Sequence, residues 1–265
     1  MDYNKFSNYF GLVAHYKFPK WLQNAINCWY ISHFKIDMSE FNPAKSYKSL
    51  NALFTRELKS PRRLGSGVVS PSDGLSLECQ KGDNLRAYSI KSRDYSVDKL
   101  LGMSLKAGEL DGEFDYLNIY LSPRDYHHYH APCDMEVLSL EYTPGKLFSV
   151  AKSALLKHEN LYAQNERVTL KVRLKNNKLA WLVFVGALNV GKMKFDFEPR
   201  VCTNANLGAA LYEYSDLRLK KGEHIGNFEL GSTIVIISQN GAINYTIKSN
   251  QPLKQGQSIG QLGEI

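Results

Sequence analysis

No apolar run in this 265-residue chain approaches the roughly 18–20 residues that a membrane-crossing helix needs. The first residues, Met1-Asp2-Tyr3-Asn4, lack the basic start and short apolar core of a secretory signal. Cysteine is scarce. Cys28, Cys79, Cys133 and Cys202 stand more than 50 residues apart with no C-x-x-C pair, so neither a zinc knuckle nor a thioredoxin-type redox site is indicated. A disulfide framework does not suit so long a chain with so few thiols, and the four read as small buried apolar residues. Internal repeats and low-complexity tracts are absent. With 43% apolar and 22% charged residues, disordered, collagen-like and coiled-coil chains are excluded as well. The expectation is an intracellular globular protein with a sizeable core.

The charge is unevenly placed. Of a net +7, residues 1–65 carry +6, from ten Lys and Arg against four Asp and Glu. Such an excess attracts anionic surfaces, either nucleic acid or acidic lipid headgroups. The same stretch reads as helical: Phe6, Tyr9, Phe10 and Val13 share one helix face. After Pro19 a broad stripe follows, formed by Trp21, Leu22, Ala25, Ile26, Trp29, Tyr30 and His33, with Lys17, Lys20 and Lys35 beside it. A third helix is predicted over Ser49 to Leu58. Aromatic stripes flanked by lysines suit a helix in a membrane interface; packing onto the core is the commoner use of such a stripe, and the two can coexist.

Beyond residue 66 the periodicity changes to two. In Tyr116 to Leu121, Leu117, Ile119 and Leu121 face one side while Tyr116, Asn118 and Tyr120 face the other. Arg167 to Leu174, Leu179 to Ala187, Thr233 to Ser238 and Ala242 to Ile247 alternate likewise. Turns at Pro144-Gly145, Asn176-Asn177 and Asn240-Gly241 separate them. Short helices fit Val97 to Leu101 and Ala151 to Leu156. The predicted class is α+β: a β-rich single catalytic domain of mostly antiparallel strands, residues 66–265, behind the helical segment 1–65, with no second core evident.

Three of the seven histidines lie in Pro123-Arg-Asp-Tyr-His-His-Tyr-His-Ala-Pro132. His128 and His130 point to one face of an extended segment and His127 to the other. Such a cluster supplies proton-transfer groups usable near neutral pH. The histidines could instead be partly buried hydrogen-bonding groups, and a lesser alternative offers His128 and His130 as a zinc pair, with His158, His224 or an Asp as third ligand. Asp73 sits in the turn Ser70-Pro-Ser-Asp-Gly74; an Asp there often bonds its own backbone, although a carboxylate that orients a distant His is what an activated nucleophile requires. Gly231-Ser232-Thr233 directly precedes a β-branched run. Without a Cβ, Gly231 can aim its own carbonyl at the Ser232 hydroxyl, and a base near that hydroxyl would make the peptide bond a substrate.

Read in order, these segments resemble phosphatidylserine decarboxylases, the pyruvoyl-dependent lipid enzymes of bacteria and mitochondria. The resemblance runs through Phe54-Thr-Arg-Glu-Leu-Lys59, Ser70-Pro-Ser-Asp-Gly74, Tyr95-Ser-Val97, Leu121-Ser-Pro-Arg-Asp-Tyr-His127, Pro144-Gly-Lys-Leu-Phe-Ser-Val150, Asn165-Glu-Arg-Val168, Val185-Gly-Ala187 with Asn189-Val-Gly191, and Leu230-Gly-Ser-Thr233. Ala151 stands where the family usually has Asn, Lys192 where Ser is common and Leu53 where Phe is usual; none of these is a proposed catalytic position.

The resemblance implies self-cleavage between Gly231 and Ser232, giving a β chain of 1–231 and an α chain of 232–265. By that implication His130, held by Asp73, takes the Ser232 proton, and the alkoxide converts the Gly231 peptide bond to an ester. Elimination then leaves a dehydroalanine that hydrolyses, with loss of ammonia, to a pyruvoyl cofactor at the head of the α chain. That group forms a Schiff base with phosphatidylserine and accepts the electrons left when CO₂ departs; His127 is the implied proton donor, His128 has no implied role, and no metal is called for. Phosphatidylethanolamine is released. The implied partners are phosphatidylserine in an anionic membrane surface and the two chains of one precursor, paired as a heterodimer with further self-association left open. The implied location is peripheral, on the cytoplasmic face of the cell membrane, with residues 3–34 docking. Nucleic acid is the poorer partner, because no nucleic-acid motif accompanies the charge. The rivals are a zinc-dependent hydrolase using His128 and His130 and a non-catalytic anionic-lipid-binding module.

Overall fold

The computed structural model describes residues 11–89, 93–150, 155, 159–187, 192–201, 203, 208–229 and 232–264. Its first strands are β1 (Val68–Val69), β2 (Gly74–Gly82), β3 (Arg86–Ser89), β4 (Arg93–Ser96), β5 (Phe114–Leu121), β6 (His128–His130), β7 (Met135–Thr143) and β8 (Arg167–Leu174). There follow β9 (Leu179–Gly186), β10 (Lys192–Phe195), β11 (Ala210–Leu219), β12 (His224–Glu229), β13 (Ser232–Gln239), β14 (Ile243–Tyr245), β15 (Gln251–Leu253) and β16 (Ser258–Leu262). Eight of them form one antiparallel sheet in the order β11-β7-β8-β9-β13-β5-β2-β15. Smaller sheets have the orders β10-β12-β6 and β1-β16-β14, and β3 pairs with β4.

The alternation seen in the sequence assigns the two faces of the large sheet. Leu117, Ile119 and Leu121 join Ile234 and Ile236 in one buried cluster, which also takes in Tyr129, Phe228 and Ile259 from the small sheets. Tyr116, Val235 and Ile237 face the opposite way. There they meet α-helical residues Val97, Leu100 and Leu101. The side chains of β13 are therefore buried on both faces, and its edges are covered by β9 and β5. Continuous β-branched sequence in this strand follows from that position.

The helical segment differs from expectation in three ways. First, α1 (Lys20–Phe34) buries Gln23, Asn27 and Tyr30 while Trp21 and Trp29 are 74% and 62% exposed. Its inward amides are tied down: Gln23 donates to Asn27, and Asn27 donates to the carbonyls of Ala44 and Tyr47, while Gln23 Oε1 has no partner among the described residues. The aromatic stripe is thus largely turned outward rather than packed on the core. Second, the helix predicted over 49–58 is only α2 (Leu50–Phe54), capped by the Ser49 hydroxyl. It stops because the next residues are used elsewhere, with Leu58 bridging Phe41 and Arg56 turned inward. Third, Ala14, Tyr30, Ile36, Leu53 and Phe54 make a small core of their own, which no periodicity announced. The predicted helix over 151–156 and most of the first helical face lie outside the described residues. Cys133 is buried as expected, whereas Cys28 is exposed. Among the described residues no helix is long and apolar enough to cross a membrane.

Candidate active site

The turn that follows β5 sets the histidines in place. The Ser122 amide and hydroxyl both donate to the Asp125 carboxylate, at 2.7 and 2.6 Å. That closed turn is the local preference of Ser and Asp around a proline. The chain then reverses into β6, whose residues pair with β12: His128 opposite Asn227 and His130 opposite His224. The His127 carbonyl accepts from the Phe228 amide at 2.9 Å.

His127 is fully buried. Its Nδ1–H donates to the Asp125 carbonyl at 2.8 Å, so Nε2 carries the lone pair, and among the described residues that atom has no hydrogen-bond partner. Burial, reinforced by the neighbouring Arg56 cation, holds its pKa well below the ordinary histidine value. The ring is neutral at physiological pH.

The sequence motif 54–56 supplies the walls, one contact per residue. The Phe54 ring lies 3.9 Å from the His127 ring, centroid to centroid. The Thr55 carbonyl accepts from His128 Nε2 at 3.1 Å. Arg56, 1% exposed, donates to the carbonyls of Arg124 and Asp125 at 2.6 and 2.9 Å. These roles were invisible in the motif as a string; only its recurrence with the other segments marked it.

His130 and Asp73 reach the same region without touching through the expected bond. The His130 amide donates to the Pro71 carbonyl at 2.9 Å, which lays β6 against the 70–73 turn. In the ring, Nδ1–H donates to the Gly222 carbonyl at 3.0 Å and Nε2 accepts from the Tyr126 hydroxyl at 3.2 Å. Asp73, only 2% exposed, instead pairs with Arg62, with Lys254 Nζ at 3.1 Å and with the Gln255 amide at 2.8 Å. Arg62 in turn lies 5.6 Å over the Tyr126 ring. The direct hold of Asp73 on His130 is therefore replaced by a chain from Asp73 through Arg62 and Tyr126. The physical reason is charge: a buried carboxylate beside two cations and an amide is satisfied by them. Burial lowers the His130 pKa to about 4, against a smaller upward pull from the Gly222 bond. Gly74, next to Asp73, admits no side chain, since a Cβ would sit 2.6 Å from the Tyr120 carbonyl oxygen.

Ser232 opens β13, with Gly186 on one side and Leu121 on the other. It is fully buried, and its hydroxyl oxygen has no hydrogen-bond partner among the described residues. A buried orphan hydroxyl costs on the order of 1–3 kcal/mol; Thr233 and Ser238 of the same strand carry the same cost, and Ser232 differs from them in standing at the strand's first residue. Gly231 lies outside the described residues. Asn165 braces the Ser232 surroundings, a role the sequence did not disclose: its amide donates to the carbonyls of Phe148 and Gly186 at 2.9 and 2.8 Å. Glu229, three residues before Ser232 and buried, holds Lys194 Nζ at 2.6 Å.

The zinc alternative finds no support in the side chains. Each ring nitrogen of His128 and His130 is engaged, His128 Nδ1 by His224 Nε2 at 2.7 Å. Among the described residues no group of three or more His, Cys, Asp or Glu has metal-binding geometry. Of the suggested third ligands, His224 bonds Asp196 at 2.6 Å, and His158 lies outside the described residues.

Comparison with known proteins agrees with the geometry. A family model described as phosphatidylserine decarboxylase matches residues 50–261. The phosphatidylserine decarboxylase proenzyme of Campylobacter jejuni is 50% identical over 258 residues, covering 96% of this chain and 97% of the relative. That of Helicobacter pylori strain 26695 is 46% identical over 264 residues, covering 97% of each. From the ordered motifs, the histidine-lined site and these matches, the chain belongs to the phosphatidylserine decarboxylase family of carboxy-lyases.

Proposed function

We propose that this protein converts phosphatidylserine to phosphatidylethanolamine and CO₂ after cutting itself between Gly231 and Ser232. The observation that carries the reading is the Ser232 hydroxyl: buried, unbonded, and at the head of a strand held on both edges. Such a serine fits conversion to a pyruvoyl group, because its hydroxyl is already withdrawn from water. When formed, that group supplies an electron sink for loss of a carboxylate.

The chain's own residues prepare and serve it. A base takes the Ser232 proton, the oxygen attacks the Gly231 carbonyl, and the amide nitrogen receives a proton as the ester forms. His130 is the proposed base, with Asp73 acting on it through Arg62 and Tyr126. Its Nε2 bears a lone pair, and the Tyr126 hydroxyl must release it first. A second assignment has a specific observation behind it: His127 Nε2 also bears a lone pair, and no described residue caps it. In decarboxylation His127 is the proposed proton carrier, positioned by Phe54 and by the Asp125 carbonyl.

The 1–65 segment is proposed to dock the enzyme peripherally on the cytoplasmic leaflet. Leu12, Tyr16, Trp21 and Trp29 are exposed on it, and it holds most of the net positive charge. A 1–231 chain and a 232–265 chain are proposed to stay together. Denaturing mass spectrometry tests the cut. Two fragments meeting at 231/232, the smaller without an N-terminal amine, are expected from the active protein, and a single chain from Ser232→Ala. A fully active sample consisting of one unbroken chain would overturn the proposal.

A further inference from the structure

Where the start of α1 faces the 45–48 turn, a cavity of about 630 Å³ opens. Lys17, Lys20, Lys45 and Lys48 line it together with Trp21 and Gln23. No acidic residue lines it, and among the described residues none of the four lysines forms an ion pair. Four uncompensated ammonium groups around one concavity repel each other unless an anion sits among them.

Three further features narrow the anion. The start of α1 lacks a capping side chain, and its first turn has no acidic residue, so its free N–H groups add positive potential on the same side. Gln23 is 3% exposed, and among the described residues its Oε1 has no hydrogen-bond partner; this acceptor suits a ligand that also brings a hydroxyl. Trp21, 74% exposed, gives the rim an apolar wall. The shape is preorganised, because Asn27 ties α1 to the carbonyls of Ala44 and Tyr47. A phosphodiester with a hydroxylated headgroup and acyl chains lying along Trp21 satisfies all of these. None of the lining residues belongs to the histidine-lined site.

We propose that this cavity binds the headgroup of a second, non-reacting anionic glycerophospholipid of the phosphatidylglycerol type. The inference rests on the proposed docking of the helical segment and deepens it: one lipid is captured at a built site, in addition to diffuse attraction.

Trp29→Phe leaves Trp21 and the buried Trp181 as the only tryptophans, so Trp21 emission reports the cavity. Short-chain phosphatidylglycerol, titrated below its micelle concentration, is expected to give a saturable change, and the matching phosphatidylcholine none. Adding Lys20→Gln, Lys45→Gln and Lys48→Gln should weaken binding at least tenfold. Lys35→Gln, Lys106→Gln and Lys248→Gln remove equal charge elsewhere and should leave it unchanged. No saturable response, an equal response to phosphatidylcholine, or equal weakening by both lysine sets would overturn the proposal. Inorganic phosphate binding as tightly as the lipid would do so too, since the occupant would then be a soluble phosphate. Vesicle sedimentation of Trp21→Glu/Trp29→Glu separates the two levels. If that variant still sediments while the short-chain lipid binds only with the cavity lysines present, docking by the stripe fails and the cavity stands.

Discussion

Asp73 accepts a hydrogen bond from the main-chain amide of Gln255 at 2.8 Å, so the carboxylate expected to serve self-cleavage also holds the tail that cleavage would separate. Lys254 and Arg62 complete its surroundings. Asp73→Ala is expected to abolish cleavage and also to speed hydrogen exchange at the Gln255 amide, measured in a Ser232→Ala background to keep the chain whole. Loss of a bond to a charged acceptor predicts roughly 1.5–3 kcal/mol less local protection. Unchanged exchange at that amide would remove the anchoring role. Lys254→Gln, which leaves the amide bond, should cleave within about threefold of the parent.

The two histidine assignments separate on a gel. His130→Ala should yield only full-length protein, and His127→Ala should cleave yet release CO₂ at least about a hundredfold more slowly, as expected for loss of a positioned proton-transfer group. The reverse pattern of cleavage would transfer the base role to His127. Tyr126→Phe removes the hydroxyl that joins His130 Nε2 to the Arg62 and Asp73 chain and should slow cleavage; cleavage at the parent rate would show that the Tyr126 link is dispensable.

Acid should loosen the precursor within a defined window. His128 and His130 have pKa values lowered to about 4, mainly by burial, so the folded state binds fewer protons than the unfolded chain between about pH 6.5 and 4. Stability contributed by their neutral forms is complete above about pH 6.5 and falls as pH drops through that interval. Each contributes at most on the order of 3 kcal/mol. Urea midpoints of Ser232→Ala, recorded from pH 7.5 to 4, should decline across this range; a flat profile contradicts the assignment. His128→Gln should make the decline shallower.

Membrane attachment has a direct check. Trp21→Glu/Trp29→Glu should lose sedimentation with vesicles containing anionic lipid, because two exposed rings are replaced by charges of the wrong sign. Cleavage should persist, as neither tryptophan belongs to the histidine-lined site. Undiminished sedimentation would refute docking through this stripe.

Ile236 is fully buried in the middle of β13. Truncation to Ala should destabilise the Ser232→Ala precursor by roughly 2–5 kcal/mol, readable from urea denaturation. A change below about 1 kcal/mol would mean that this strand is less tightly enclosed than its burial indicates.

The sheet was legible because its strands alternate: Leu117 and Tyr116 fall on opposite faces as their spacing requires. Val97 to Leu101 was legible as a short helix, with Val97, Leu100 and Leu101 at helical spacing turned inward. The helical segment was less so, since Gln23 and Asn27 are buried by hydrogen bonds rather than by apolarity, which no hydropathy pattern encodes. At the site, sequence named the histidines, Asp73 and Ser232, but not their partners. Arg62 lies 11 residues from Asp73, Gln255 lies 182 residues away, and Tyr126 is masked by the histidines around it. Bonds over such separations depend on the folded sheet order, which local spacing does not carry.

Because β13 runs between β9 and β5 in the interior of the large sheet, the 232–265 piece would be woven into the fabric rather than laid upon it. Nicking such a molecule changes its covalent bookkeeping and leaves its mechanics alone. Dilution of the folded molecule would release the shorter piece only as ladders on both sides open at once, so a nicked sample should melt in one transition whose midpoint rises with protein concentration, because unfolding sets two chains free.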